Sequence, residues 1–202
     1  MQEVYSIIDA LFPFEFLKFA FMKNAFMGVL LITPLFGLIG TMIVNNKMSF
    51  FSDALGHSAL TGIALGVMFG VNNYIISMMA FSIIFAICIS AITDLEISSA
   101  DTIIGVFSSI AMALGIVMLS KNGGFSKYSN YLIGDILSIH ANEILMLLFI
   151  LIVVLIIWVL SFNKLLSSSI NSDLAYSKGI SVKFYKNLFM ILVAMIVTVS
   201  IK

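Results

Sequence analysis

The chain has 202 residues, of which 61% are hydrophobic and only 10% are charged, and ten basic residues balance ten acidic ones. Soluble domains are about half apolar and about a quarter charged, so this composition excludes a soluble domain and indicates an all-α integral membrane protein. The balanced charge gives no indication of a nucleic-acid partner, and the single cysteine, Cys88, excludes a disulfide framework or a thiolate metal cluster.

The first 22 residues are predicted to form an amphipathic segment at the membrane surface. Glu3, Asp9 and Glu15 precede the first long apolar run, whereas a secretory signal begins with basic residues. The segment is rich in phenylalanines suited to the level of the lipid headgroups. These are Phe12, Phe14, Phe16, Phe19 and Phe21.

The next feature is a series of apolar windows that predict a polytopic helical bundle, which we treat as one membrane domain over residues 1–202. Crossing a hydrocarbon core of about 30 Å takes about 20 helical residues. A sixth window, Leu188–Ile201, is short for a span just before Lys202 ends the sequence, and we expect an incomplete last helix and a C-terminally truncated chain. Trp158 is expected to anchor the fifth window at the interface. The five full windows are Ala25–Val44, Ala54–Val71, Tyr74–Ile92, Thr102–Ser120 and Ile144–Phe162.

Lysine placement predicts the orientation of a multi-pass protein in the cell membrane. The segment 163–186 has a lysine excess, which places it in the cytoplasm and the N-terminus outside. The loop after the fourth window then lies outside, and its "YLIGDILSI" is predicted to form a short interfacial helix. The segment's lysines, set against the single acid Asp173, are Lys164, Lys178, Lys183 and Lys186.

Asp53 and His57 open the second window in "SFFSDALGHSALTGIALG". Residues four apart lie on one face of a helix, so both side chains can reach one point. A carboxylate and a neutral imidazole suit Zn²⁺ or Mn²⁺, and an ionisable residue in a span usually faces a pathway. Two ligands do not complete a site. The alternative is that Asp53 caps the helix and His57 bonds a neighbouring carbonyl.

A stripe of small residues follows at intervals of four: Ser58, Gly62, Gly66 and Gly70. Such a face lets helix backbones approach closely in lipid. We therefore predict that these four positions serve helix packing.

Between the fifth and sixth windows, "SSINSDLAYSKGIS" predicts a short cytosolic helix. Leu174 and Ala175 are apolar, Ser172 or Asp173 is a candidate cap, and Gly179 is a candidate stop. Such a helix can dock into a partner's groove, although an ordinary connecting loop has the same pattern.

An intramembrane enzyme is a poor alternative. The sequence offers no nucleophile paired with a base and no H-E-x-x-H zinc motif. Asp101, at the start of the fourth window, fits a helix N-terminus, and His140 is predicted to be a surface residue.

Four stretches in order resemble the permeases of metal-type ABC transporters, the ABC-3 family. The first is "MKNAFMGVLLITPLFGLIGTMIVNNKMSFFSDALGHSALTGIALG", which contains Asp53, Ala54 and His57. The others are "SSADTIIGVFSSIAMALGIVMLS", "YLIGDIL" and "NSDLAYSKGISV". The resemblance runs from about Met22 to Lys202. It departs from the family where Ala100 replaces an acid before Asp101, and family members continue for several more helices.

The resemblance implies a fold like that of the vitamin-B12-type importers and a permease subunit for Zn²⁺ or Mn²⁺, carried as cargo without a permanent cofactor. It further implies that Asp53 and His57 line the ion route and that about Ser172–Ser181 meets a cytosolic ATPase, which would hydrolyse ATP. A second permease subunit, identical or homologous, and an extracellular metal-binding protein are the other implied partners. A truncated remnant or assembly partner, and a siderophore or cobalamin permease, remain alternatives.

Overall fold

The computed structural model describes residues 5, 12, 14–71, 73–121, 125–128, 134 and 139–201, with the backbone alone for 16, 141 and 142. Within these ranges every regular element is a helix, which confirms the predicted all-α fold class. A 3₁₀ turn at Glu15–Lys18 comes first. The helices are α1 (Ala20–Asn45), α2 (Phe51–Met68), α3 (Tyr74–Thr93), α4 (Ala100–Lys121), α5 (Phe125–Tyr128), α6 (Ala141–Ile170), α7 (Ser172–Ser177) and α8 (Val182–Ser200).

Five of the described helices are long and apolar enough to cross a membrane, namely α1, α3, α4, α6 and α8. Helix α2 is not among them, although its sequence was predicted to be a full window. The reason is its composition, since polar residues such as Asp53 and His57 lower its hydropathy. Its position fits this composition, because 11 of its 18 residues are buried between α3, α4 and α8. A helix shielded from lipid by protein can carry polar residues that a lipid-facing helix cannot.

Helix α8 is longer than the predicted last window. It begins at Val182, six residues before the predicted window, and has 19 residues, which at 1.5 Å per residue gives a length of about 28 Å. Hydropathy placed the start too late because the first two turns carry Lys183, Lys186 and Asn187. Its second half is deeply buried, including Met190, Val193 and Ala194.

Helix α6 also extends beyond its predicted window and ends at Ile170. Trp158 therefore lies in the middle of the helix, where it is 5% exposed and packs beside Phe162. It is a core residue, so its predicted role as an interfacial anchor is wrong. Lys164, assigned to a loop by the sequence, is likewise part of this helix.

Polar contacts define the two ends of the bundle. At one end Lys186 Nζ of α8 lies 2.5 Å from Asp94 Oδ1, just after α3. At the other end the hydroxyl of Tyr128 donates to that of Tyr74, the first residue of α3, at 2.8 Å. Helices α3 and α8 are thus antiparallel, as expected for chain segments that cross a membrane in opposite directions.

Large apolar side chains cover the outside of the bundle, for example Val117 on α4 and Leu160 on α6. Because lipid tails are as apolar as these side chains, such exposure is suited to a bilayer. Phe14, Phe19 and Phe21 of the predicted N-terminal segment are also exposed. The helix predicted in residues 131–139 falls outside the described residues, apart from Gly134 and Ile139.

Candidate metal-ion site

A cavity of about 470 Å³ lies between the middle of α1, the first two turns of α2 and the last turn of α8. A volume of about 10–15 Å³ suffices to hold one water, so a metal ion can enter with part of its hydration shell. The lining residues are Ile32, Phe36, Ser52, Asp53, Gly56, His57, Gly134, Val197, Ser200 and Ile201.

Three local features of the sequence lie in or beside the wall of this cavity. Pro34 lies inside α1 between Ile32 and Phe36, where its ring removes one backbone hydrogen bond of the helix. Gly56 presents no side chain to the wall, and a Cβ there would meet no atom within 4 Å. Ser200 donates its hydroxyl to the Ile196 carbonyl at 2.8 Å, which leaves its lone pairs free to accept.

Asp53 and His57 face this cavity together. Asp53 Oδ2 lies 3.5 Å from His57 Nε2, and the side chains are 70% and 40% exposed, respectively. Phe50 is the N-cap of α2, and Asp53 lies in the first turn, where the helix dipole favours a negative charge. Within the described residues neither side chain hydrogen-bonds to the backbone, so the geometry favours the cavity-facing interpretation over the capping one.

The separation of the two side chains is compatible with one shared ion. With zinc–ligand bonds of about 2.0–2.2 Å at tetrahedral angles, two ligand atoms lie about 3.3–3.6 Å apart. The described residues contain no group of three or more His, Cys, Asp and Glu that could hold a metal. Asp53 and His57 are therefore a partial ligand set that leaves positions on the ion for water or other donors.

The small residues of α2 pack against α3. A Cβ added to Gly62 would lie 2.8 Å from Met78 Cα, and one added to Gly66 would lie 2.7 Å from Ser77 Cβ. The Ser77 hydroxyl donates to the Gly62 carbonyl at 2.5 Å. Ser58 is fully buried.

Gly70 does not belong to this packing face. It lies two residues past the end of α2 with a φ of +68°, and a Cβ there would meet nothing within 4 Å. The amide of Gly70 donates to Val67 and that of Val71 to Gly66, which is the Schellman pattern of a helix end. Gly70 has the four-residue spacing of the small-residue stripe, but in the structure it terminates α2.

The predicted cytosolic helix corresponds to α7. Asn171 caps it by accepting from the Leu174 amide at 3.0 Å, so the cap is neither Ser172 nor Asp173. Gly179 has a φ of +75° and follows the C-cap Lys178. Leu174 and Tyr176 are 60% and 79% exposed, whereas Ala175 is 1% exposed.

The sequence did not reveal several residues near these sites. Ser52 is next to Asp53 and could have been found from that position, but Ser200 lies 143 positions beyond His57. The pairing of Asp94 with Lys186 spans 92 positions. A single sequence carries no local signal for contacts of that kind.

Comparison with known proteins identifies the family. The model of the ABC 3 transport family matches residues 18–202. The chain belongs to this family. The resemblance found in the motifs around Asp53 and His57 is thereby confirmed, and with it the assignment to a multi-pass protein of the cell membrane.

Relatives in the family are named as metal transport proteins. The chain is 33% identical over 168 residues to the high-affinity zinc uptake system membrane protein ZnuB of Buchnera aphidicola (subspecies Acyrthosiphon pisum), which covers 82% of this chain. It is 31% identical over 179 residues to the manganese import system permease protein ScaB of Streptococcus parasanguinis, which covers 89%. The chain spans 64% of the length of each of these relatives.

A solved structure has the same fold. PsaBC from Streptococcus pneumoniae, determined in complex with a Fab, matches with a TM-score of 0.77 and 27% identity. The match covers the whole of this chain and 70% of that one. The helical arrangement described above is therefore that of an experimentally determined family structure.

Proposed function

We propose that this chain is the membrane-spanning permease subunit of an ATP-binding-cassette importer for Zn²⁺ or Mn²⁺. The observation that carries the proposal is the pair Asp53 and His57, 3.5 Å apart on the wall of a cavity between α1, α2 and α8. Relatives named for zinc uptake and for manganese import support this cargo.

In this proposal the two side chains replace part of the hydration shell of the ion. The Asp53 carboxylate supplies a negative charge and a hard oxygen ligand, and the neutral His57 imidazole supplies a nitrogen ligand that suits both ions. A pathway site must bind strongly enough to admit the ion and weakly enough to release it. A partial protein ligand set, completed by water, meets that requirement.

Energy for import would come from a partner. Helix α7 presents Leu174 and Tyr176 outward from a short, capped helix, and exposed apolar anchors of this kind fit a groove on another protein. We propose that a cytosolic ATPase binds here, that an extracellular metal-binding protein delivers the ion, and that a second permease subunit completes the pathway.

The test is uptake of ⁶⁵Zn²⁺ or ⁵⁴Mn²⁺ by cells that express the chain with its ATPase and metal-binding protein. We expect Asp53→Asn and His57→Gln each to lower uptake at least about tenfold, because even indirect support of a metal ligand is worth about 10–100-fold. The amount of each variant in the membrane is measured alongside.

Matched substitutions elsewhere serve as controls. Glu15→Gln removes a carboxylate that is 94% exposed and that pairs with Lys18 within the described residues. His140→Gln removes the other histidine, which is exposed. Both controls should import at the wild-type rate, and wild-type uptake by Asp53→Asn and His57→Gln would contradict the proposal.

A further inference from the structure

The first two turns of α8 are tied to two neighbouring helices by three successive residues. Tyr185 lies under the Lys164 ammonium of α6, with Nζ 5.7 Å from the ring centre. Lys186 Nζ lies 2.5 Å from Asp94 Oδ1. Asn187 Oδ1 accepts a hydrogen bond of 2.5 Å from the Ser90 hydroxyl near the end of α3.

The contacts to α3 are partly shielded from solvent. The side chains of Lys186 and Asp94 are 23% and 28% exposed, and Ser90 is 1% exposed. The other lysine–carboxylate pair described, Lys18 with Glu15, is 3.5 Å long with side chains 72% and 94% exposed. Shielding strengthens the attraction within a pair and leaves an uncompensated charge when one partner is removed.

Helix α8 connects the two functional regions of the molecule. Four residues separate its start from the end of α7, and its last turn lines the cavity through Val197 and Ser200. Between these ends it is one continuous helix of 19 residues with a largely buried second half. A displacement of its start can therefore be transmitted along the helix to the cavity wall, provided that its first two turns stay packed against α3.

We propose that Ser90, Asp94, Lys186 and Asn187 form a clamp that makes the end of α3 and the start of α8 move as one unit. Movement of α7 during ATP hydrolysis then reaches Val197 and Ser200, in the wall of the cavity that Asp53 and His57 also line. The inference rests on the proposed transport function. The four clamp residues are positioning residues, because they lie at the other end of α8 from the cavity.

Without the clamp, a movement of α7 can be absorbed near the start of α8 and is not transmitted along that helix. The linker 178–181 contains Gly179 at positive φ, and a freed first turn of α8 would follow α7 while the rest of the helix stays in place. ATP would then be hydrolysed without opening the cavity. The distinguishing signature is the number of ions imported per ATP hydrolysed.

The first experiment measures this ratio in membrane vesicles containing the complete transporter. In Asp94→Asn and Asn187→Leu we expect the ratio to fall about tenfold, within the range typical of coupling between distant sites. ATP hydrolysis and the amount of transporter should stay near wild type. Lys18→Gln, which breaks the exposed pair, should leave the ratio unchanged.

The second experiment asks whether the end of α3 and the start of α8 separate during transport. The only native cysteine is first removed by Cys88→Ser, and Ser90→Cys with Asn187→Cys is then bridged by a short thiol-specific cross-linker. The clamp predicts that import continues at the wild-type rate after bridging. Import that stops on bridging and resumes when a cleavable linker is cut would overturn the clamp.

The outcomes separate the two proposals. A wild-type transporter that hydrolyses ATP but imports neither ion contradicts the proposed function, and the clamp with it. A wild type that imports, together with clamp variants whose ion-to-ATP ratio is unchanged, contradicts the clamp alone.

Discussion

At the level of single residues, close helix packing depends on glycines that face a neighbouring backbone. A Cβ on Gly115 of α4 would lie 2.8 Å from the Thr61 amide nitrogen of α2, much as one on Gly62 would meet α3. The Thr61 hydroxyl in turn donates to the Ala111 carbonyl of α4. In lipid, such close backbone contact takes the place of the hydrophobic driving force between helices.

We expect Gly115→Ala to destabilise the protein by about 1–3 kcal/mol, the usual effect of overpacking a tight contact. Gly105→Ala in the same helix is the matched control, because a Cβ there meets nothing within 4 Å, and alanine favours a helix by up to about 1 kcal/mol. Thermal unfolding of the purified protein in detergent gives both values. Equal unfolding temperatures for the two variants would argue against close packing of Gly115 on Thr61.

The sequence disclosed only part of this packing. Gly62 and Gly66 were visible because residues four apart share a helix face. Gly115 was not, since its partner Thr61 lies 54 positions away and no periodicity connects them. Gly70 had the right spacing but lies outside the helix, because spacing alone does not show where a helix ends.

At the level of elements, α7 is a small unit with its own start and stop signals. The Asn171 side chain satisfies one free amide at its beginning. At its end the amides of Gly179 and Ile180 donate to Tyr176 and Ala175, a Schellman closure. A six-residue helix held at both ends presents its outward side chains in a fixed arrangement.

If α7 binds the proposed ATPase, Tyr176→Ala is expected to weaken capture of that ATPase about tenfold or more, as for an aromatic anchor at the centre of an interface. Phe69→Ala is the matched control, since both residues are 79% exposed but Phe69 lies at the opposite end of the bundle, in the turn between α2 and α3. Co-purification from detergent-solubilised membranes measures the effect. Equal ATPase recovery with both variants would place the docking surface elsewhere.

Apolar windows located the long helices well and their boundaries poorly. The five full windows fall on α1, α2, α3, α4 and α6, because uninterrupted apolar runs of this length have few other structures available. The starts and ends differ where charged residues belong to a helix, as Lys164 does in α6 and Lys183 does in α8. A hydropathy window leaves charged residues outside a predicted span, whereas in the folded chain the helix includes them.

At the level of the whole molecule, the candidate site is assembled from three helices far apart in the sequence. Asp53 and His57 could be paired in advance because they lie one turn apart on α2. Phe36 and Ser200 join them only through the fold. The sequence therefore indicated the two candidate ligands but not the cavity that they line.

The central claim is that Asp53 and His57 bind one and the same ion, and zinc affinity of the purified protein tests it most directly. Competition with a zinc-sensitive chelator gives the dissociation constant for wild type, Asp53→Asn, His57→Gln and the double variant. We expect each single change to weaken binding at least about tenfold, and the double variant to lose less than the product of the two effects, because the side chains share a ligand. Wild-type affinity in both single variants, or fully multiplicative losses in the double variant, would contradict a shared ion.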